Sequence, residues 1–514
     1  MKKKVFGIIL SICLLTGVVG GMTFFVDAEE EKAWDGSVDT SWYNTSDTEF
    51  TLMDAADLAG FAAITNGTTE DLFDNFEGKT IKLGADIVMN AGKASTWSDS
   101  EEGLKEFAMI SNANYERYDQ TKFFAGEFDG QGHTVSGVYV KSAEIGHGGV
   151  GFFSGIYGAA KIHDFALVNS CFYQPGNRFA GGIVASAWTK SNAQADAFKI
   201  YNIYTDAYIT ASGDKQGIGG IVGRISQIGS YTDAVSTNDY NEIYSCVFAG
   251  KVKQTGNCAA YTGGILGSLG DIGITITDCL NAGDVISASN GKYIGGIIGK
   301  ADPNHCKVNL IRCVGAVAPQ SVTHQIGGLL TFGSKDPYAE TARGWKIEDC
   351  YYVGAKYGVN REGAEYEDPN GNTEATKLDS YDELKGLDVS SEICSSLRVG
   401  EPLGAKWTLR DNGIMVPTGT FVFNPADYNA NDSQDGNEPT PSNPVLDSSK
   451  ETEGGKTSSK KPVDSEVDVD KTVITEDVAE TGKNGCRSVV LSGGIVVVAA
   501  VCASAVALRK KKED

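Results

Sequence analysis

Between Gly291 and Val317 the chain reads "GKYIGGIIGKADPNHCKVNLIRCVGAV", with two adjacent glycines inside otherwise strand-like sequence. Glycine is poor strand material unless a backbone must turn sharply or approach another closely. The pair recurs as GGIV at Gly181, GGIVG at Gly219, GGILG at Gly263, GGIIG at Gly295 and GGLL at Gly327, at intervals of 38, 44, 32 and 32 residues. A further member, VGFFSG at Val150, lies about one period earlier. A period of this size signals a solenoid.

Each pair is followed by a loop and then by a strand whose reference position is filled in turn by Phe165, Ile203, Cys246, Cys279, Cys313 and Cys350. The local sequences are KIHDF, KIYNI, EIYSC, TITDC, NLIRC and KIEDC. Six residues on lies a second apolar position, Cys171, Ile209, Val252 or Val285, whereas Val317 comes four after Cys313. The next glycine pair follows ten or eleven residues later. A coil of three short strands is therefore expected, and parallel strands about 4.8 Å apart set equivalent residues of successive coils over one another. The fold class that follows is all-β, a right-handed parallel β-helix whose interior stack is Phe165, Ile203, Cys246, Cys279, Cys313 and Cys350. The glycines let the backbone bend at narrow corners and let opposing walls close.

One coil cannot bury its apolar face alone, so the array needs neighbours and caps. EFTLMDAADLAGFAAITNG, from Glu49, predicts a strand and then a short helix with Asp54 as N-cap. Leu58, Phe61, Ala62 and Thr65 share one face of that helix, and Gly67 ends it. KWTLRDNGIMVPTG, from Lys406, predicts a final hairpin. Residues 29–140 then form the N-terminal cap and first coils, 141–356 the repeat coils and 357–423 the C-terminal cap. Residues 424–483, rich in Ser, Thr, Pro and charge, read as a disordered stalk.

The ends set the expected compartment. Lys2, Lys3 and Lys4 precede an apolar run, and VDA closes it before Glu29, so residues 1–28 read as a secretory signal peptide. Ser488 to Leu508 is 21 uncharged residues, about 31 Å as a helix, followed by RKKKED; residues 484–514 read as a transmembrane helix with a basic cytoplasmic tail. Everything between is expected on the extracellular side of the cell membrane.

The net charge of -23 excludes nucleic acid as a partner. None of the five histidines, His133, His147, His163, His305 and His324, belongs to an H-E-x-x-H pair, and His133 reads as a turn residue. A polysaccharide-cleaving β-helix would need clustered carboxylates with a basic residue or calcium on one strand face, as around His163 or Asp278. Asp164, Asn202, Ser245, Asp278, Arg312 and Asp349 share one column just before the interior stack and are expected to point outward. DPNGNTE at Asp368 reads as an ordinary turn rather than a calcium loop. Of 11 cysteines, those in the column would have Cβ atoms about 4.8 Å apart against the ~3.8 Å a disulfide needs, so buried thiols are expected there. The partners of Cys258 and Cys306 are not readable. No catalytic residue, metal site or cofactor is identified.

WDGSVDTSWYN, EFTLMDAADLAGFAAITNG, FEGKTIKLGADIVMN and above all FDGQGHTVSG (Phe128 to Gly137), followed by VGFFSGI and the GGIVG series, resemble bacterial surface proteins with GLUG-motif repeats on a pectin-lyase-like β-helix. The resemblance covers about Trp34 to Val416 and implies fold and surface location. This chain departs from it at DIVM (Asp86 to Met89) and FAMIS (Phe107 to Ser111). VAETG, Val478 to Gly482, resembles a sorting signal without its Leu-Pro, so a retained membrane helix is expected; cleavage after Thr481 would instead place the chain on the cell wall.

The segments after the glycine pairs vary in length and leave the same corner of every coil: Ala185 to Phe198, Arg224 to Asn241, Ser268 to Thr275, Lys300 to Val308 and Thr331 to Trp345. That edge carries Trp188, Tyr231, Tyr240, Tyr338 and Trp345, rings suited to sugar faces or protein contacts or to packing their own loops. The expected function is a non-catalytic adhesin or ligand-display protein binding an extracellular glycan or a host or neighbour-cell protein along that edge. A carbohydrate-active enzyme is the alternative, and a passive wall-spacing protein a third.

Overall fold

The structure is a computed structural model. It describes residues 33–418 except 70–71, 113–119, 142–148, 177–178, 191–192, 213–216, 228–239, 257–260, 271, 288–292, 302–305, 322–325, 333–345, 362–363, 366–372, 400–405 and 411–412. The expected signal peptide and stalk, with VAETG and Ser488 to Leu508, lie outside the described residues. Among those described, no helix is long and apolar enough to cross a membrane.

Three parallel sheets run along the chain as a β-solenoid. The long sheet orders its strands Glu49–Leu52, Thr80–Leu83, Glu127–Asp129, Lys161–Val168, Lys199–Thr205, Glu242–Tyr244, Ile274–Thr277, Val308–Ile311 and Lys346–Val353. The glycine sheet sets Gly181, Gly219, Gly263, Gly295 and Gly327 in one register. The third sheet joins the short strands from Tyr139–Val140 to Gln320–Ser321. Parallel pairing continues past position 356, where Tyr357–Arg361 joins the glycine sheet and Thr373–Leu378 the long sheet.

The long sheet explains why KIHDF carries two inward residues three apart. Ile162, Ile200, Ile243, Ile276, Leu310 and Ile347 form one buried column. Then comes a left-handed residue in every coil: Asp164 (φ 58), Asn202 (φ 53), Ser245 (φ 52), Asp278 (φ 51), Arg312 (φ 50) and Asp349 (φ 51). One left-handed residue bends the strand, resets the alternation, and turns the next side chain, Phe165 to Cys350, inward again. Asp and Asn tolerate this region best, which accounts for most of the column.

The expected interior stack holds. Phe165 pairs with Ile203, the flanking pairs carry the register through Cys246, Cys279, Cys313 and Cys350, and all six side chains are buried. The four cysteines are unbridged. Their thiols donate to the carbonyl two residues back across the bend, from Sγ of Cys246 to Tyr244 O at 3.4 Å, Cys279 to Thr277 O at 3.4 Å, Cys313 to Ile311 O at 3.5 Å and Cys350 to Glu348 O at 3.2 Å. Burial holds the Cys279 and Cys350 thiols well above their ordinary pKa.

The opening glycines close the coil in two directions. A Cβ on Gly295 would lie 1.9 Å from Ile298 O, where its own chain folds back, and one on Gly296 would lie 2.0 Å from Gly328 O of the next coil and 3.5 Å from Gly315 Cα on the opposite wall. Neither position has room for a side chain.

Several expectations are corrected. Cys171 is in register with Tyr139 and Tyr208, and Phe172 takes the inward place with Ile209, Val252 and Val285; Cys171 is buried instead beneath Ala94 and Trp97. Gln320 pairs with Ile286, so Val317 does not reach the level of Val285. The helix Ala55–Asn66, capped by Asp54 and by Gly67 (φ 60), buries Ala55, Ala59 and Ile64 as well as the expected face, because the cap is packed on nearly all its sides. The hairpin Trp407–Leu409 with Met415–Pro417 exists, but Trp407, Met415 and the short helix Glu392–Ser396 pack sideways on Leu280, Val314 and Tyr351. Consequently Asp278 and Arg312 of the corner column, expected to face outward, are buried.

Candidate functional site

On the outward face of the long sheet, two columns flank the buried isoleucines. One runs Thr80, Glu127, Lys161, Lys199, Glu242, Thr275, Asn309 and Lys346; the other runs Lys82, Asp129, His163, Tyr201, Tyr244, Thr277, Ile311 and Glu348. Coil spacing stacks their rings face to face, with His163 over Tyr201 at 4.4 Å and 4° and Tyr201 over Tyr244 at 4.7 Å and 3°. Partial burial pushes both tyrosine hydroxyls up, that of Tyr244 to about 12. Lys161 pairs with Glu127 at 3.4 Å and Lys199 with Glu242 at 2.5 Å.

At the N-terminal end of this ladder, side chains of two coils converge on His163, whose side chain is 6% exposed. Nε2 faces Glu127 Oε1 at 3.0 Å; Nδ1 faces Asp164 Oδ2 at 2.8 Å and Asp129 Oδ1 at 3.7 Å. The corner makes this possible: consecutive residues of a regular strand point to opposite faces, but left-handed Asp164 turns its carboxylate to the same side as His163. Asn202 Nδ2 donates to Asp164 Oδ1 at 2.9 Å, and the Gln131 N–H donates to Asp129 Oδ1 at 3.0 Å, so both carboxylates are held from behind. Burial disfavours the imidazolium, but the hydrogen bonds to Asp164 and Glu127 outweigh it and raise the His163 pKa above its ordinary value. Both ring nitrogens are therefore engaged, and neither is open to a substrate.

No protein-family model matches the chain, and no curated protein matches it. Among solved structures it is similar to a protein from Bacteroides ovatus described as a "putative immunoglobulin A1 protease", at 16% identity and a TM-score of 0.46, over 72% of this chain and 92% of that one.

The expected edge residues fare unevenly. Trp188 lies in the strand Val184–Thr189, where it packs on Phe123, Ala125 and Tyr157 and donates Nε1–H to Ser186 Oγ at 2.9 Å. Tyr240 is 40% exposed, two residues before Glu242 of the ladder. Tyr231, Tyr338 and Trp345 lie outside the described residues, as do His147, His305, His324, Cys258 and residues 368–372 of DPNGNTE. Cys306 is buried, its thiol directed at Gly270 O at 2.7 Å. His133 sits at its turn with Nδ1 3.2 Å from Asp86.

Sequence reading pointed to His163 and Asp164 but missed Glu127 and Asp129. They sit one coil earlier, inside EFDGQGHTV, where the corner is built by Gln131 (φ 53) and Gly132 (φ 81) instead of one residue. Aligning EFD beneath KIH, with Phe128 beneath Ile162, would have found them.

Proposed function

We propose that this chain is a bacterial cell-surface protein of the GLUG-repeat kind, secreted through residues 1–28 and held by Ser488 to Leu508. Its β-solenoid displays a binding strip for an extracellular glycan or a host or neighbour-cell protein. The observation that carries this reading is positional. Where the variable segments after the glycine pairs end, the chain re-enters the long sheet at Lys199, Glu242 and Lys346, all three in the outward column of paired charges beside the stacked tyrosines. The ladder is set at coil spacing and suits an extended polymer, while loops of differing length supply selectivity.

The test is a glycan and host-protein binding array with the full-length chain, repeated after exchanging Arg224 to Asn241 for an unrelated loop. Loss of a ligand is expected; an unchanged pattern, or no ligand at all, overturns the reading. One observation favours a carbohydrate-active enzyme, namely the three carboxylates around His163, and release of reducing ends from a polysaccharide panel by the wild type but not by D129N would establish it. The anchored imidazole argues for binding.

A further inference from the structure

Nδ1 of His163, Oδ2 of Asp164 and Oδ1 of Asp129 aim at one another across 2.8 Å and 3.7 Å. Among the described residues this is the one group of three His, Cys, Asp or Glu whose candidate ligand atoms all lie within 4.8 Å of one another. Three electron-pair donors cannot face each other with nothing between them; the gap takes a proton or a metal ion.

We propose that Asp129, His163 and Asp164 bind one divalent transition-metal cation of the Zn2+ class, bridging two neighbouring coils. The proposal goes beyond the ligand-display reading and does not depend on it. Three features carry it. Mixed imidazole and carboxylate donors suit such a cation. Tetrahedral bonds of about 2.0–2.2 Å require donor separations of about 3.3 Å, which the two observed distances straddle, so small side-chain adjustments complete the set. Glu127 takes the Nε2–H of His163 and fixes the tautomer that turns the Nδ1 lone pair to the metal, the usual carboxylate partner of a ligating imidazole. In the metal-free protein a proton on Nδ1 takes that place, and metal binding releases it. Asp129 comes from the EFDGQGH coil and His163 from the next, so the ion would fasten the N-terminal coils to the repeat array.

The experiment strips the full-length chain with a chelator and titrates it with Co2+ as a spectroscopic probe, then with Zn2+ in competition against a chromogenic chelator. Ca2+ and Mn2+ are run beside them at fixed neutral pH. One equivalent of Co2+ should bind with ligand-field bands but no sulfur charge-transfer band, Zn2+ should displace it, and the melting temperature should rise with bound metal. D129N and D164N should each weaken binding at least tenfold, and E127Q by roughly 10–100-fold. D129N keeps the His163 contacts to Glu127 and Asp164, so its circular dichroism should match the wild type even if H163Q fails to fold. Absence of saturable binding, binding by D129N and D164N as tight as by the wild type, or a thiolate charge-transfer band placing the metal on cysteine would each overturn the proposal.

Discussion

Asp164 and Asp278 occupy the same corner of the coil, three rungs apart, with almost the same backbone angle, yet they live in different media. Asp164 joins His163 on an outward face, its side chain 22% exposed. Asp278 is 2% exposed and forms a paired contact with Arg312 of the next coil, Nε to Oδ1 at 2.6 Å and Nη2 to Oδ2 at 2.9 Å. What differs is the cover. The C-terminal hairpin and the helix Glu392–Ser396 lie along the flank at Leu280 and Val314, and Thr418 O reaches Ser245 Oγ at 3.5 Å, whereas Asp164 at the N-terminal corner stays partly exposed. Repeat geometry fixes where a polar residue stands; the segment folded over it decides whether it becomes a site or a strut.

The largest test of that contrast is Arg312→Ala. It leaves the Asp278 carboxylate buried without its partner and should cost about 3–5 kcal/mol in unfolding experiments, while an apolar replacement of both residues should recover most of the loss. A loss below 1 kcal/mol would mean that the flank is not closed over the corner.

Asp206 offers an intermediate case. It accepts the Asn169 N–H at 2.6 Å, but burial pushes its pKa up to about 6 from 3.8. A raised carboxylate pKa means that the folded state prefers the protonated form. Its stability contribution is therefore present below about pH 3.8 and lost as pH rises through about 6. Asp206→Asn should be the more stable protein at pH 7, by up to about 3 kcal/mol, with the advantage vanishing near pH 4. Melting curves across that range check it; an advantage independent of pH would contradict the assignment.

Packing between coils should come next. Gly296→Ala sets a Cβ against Gly328 O and should cost about 1–3 kcal/mol, whereas Gly176→Ala, with nothing within 4 Å, should be silent. Equal effects would break the link between the glycine pair and coil closure. The smallest effect is expected on the open ladder, where Lys199→Ala removes a surface pair to Glu242 and should change stability by less than about 1 kcal/mol.

Much of this fold was legible. The glycine pairs carry the register directly, because each bars a side chain for a steric reason that recurs in every coil, and the stack from Phe165 to Cys350 follows from the same spacing. The left-handed corner was visible only as a polar column, and its consequence, adjacent side chains such as His163 and Asp164 on one face, needed the backbone angle. Cys171 was misplaced because its strand has apolar residues at both Cys171 and Phe172, so spacing alone could not choose between them. The flank cover was illegible for a different reason. Leu280 and Val314 look like ordinary strand residues, and nothing in KWTLRDNGIMVPTG says that it packs on a side instead of an end. The candidate site combines residues 34 positions apart, such as Asp129 and His163, which only the register brings together.

All of these contrasts assume that distant segments stack rung on rung. The most direct check is a pulsed electron-spin distance between labels placed through an unnatural amino acid at positions 161 and 346, leaving the native thiols alone. The two lie in one outward column separated by five coil steps. A narrow distribution near 24 Å, broadened by the label tethers, is expected at about 4.8 Å per step. A mean beyond about 40 Å, or a spread without a peak, would contradict the stacked coil.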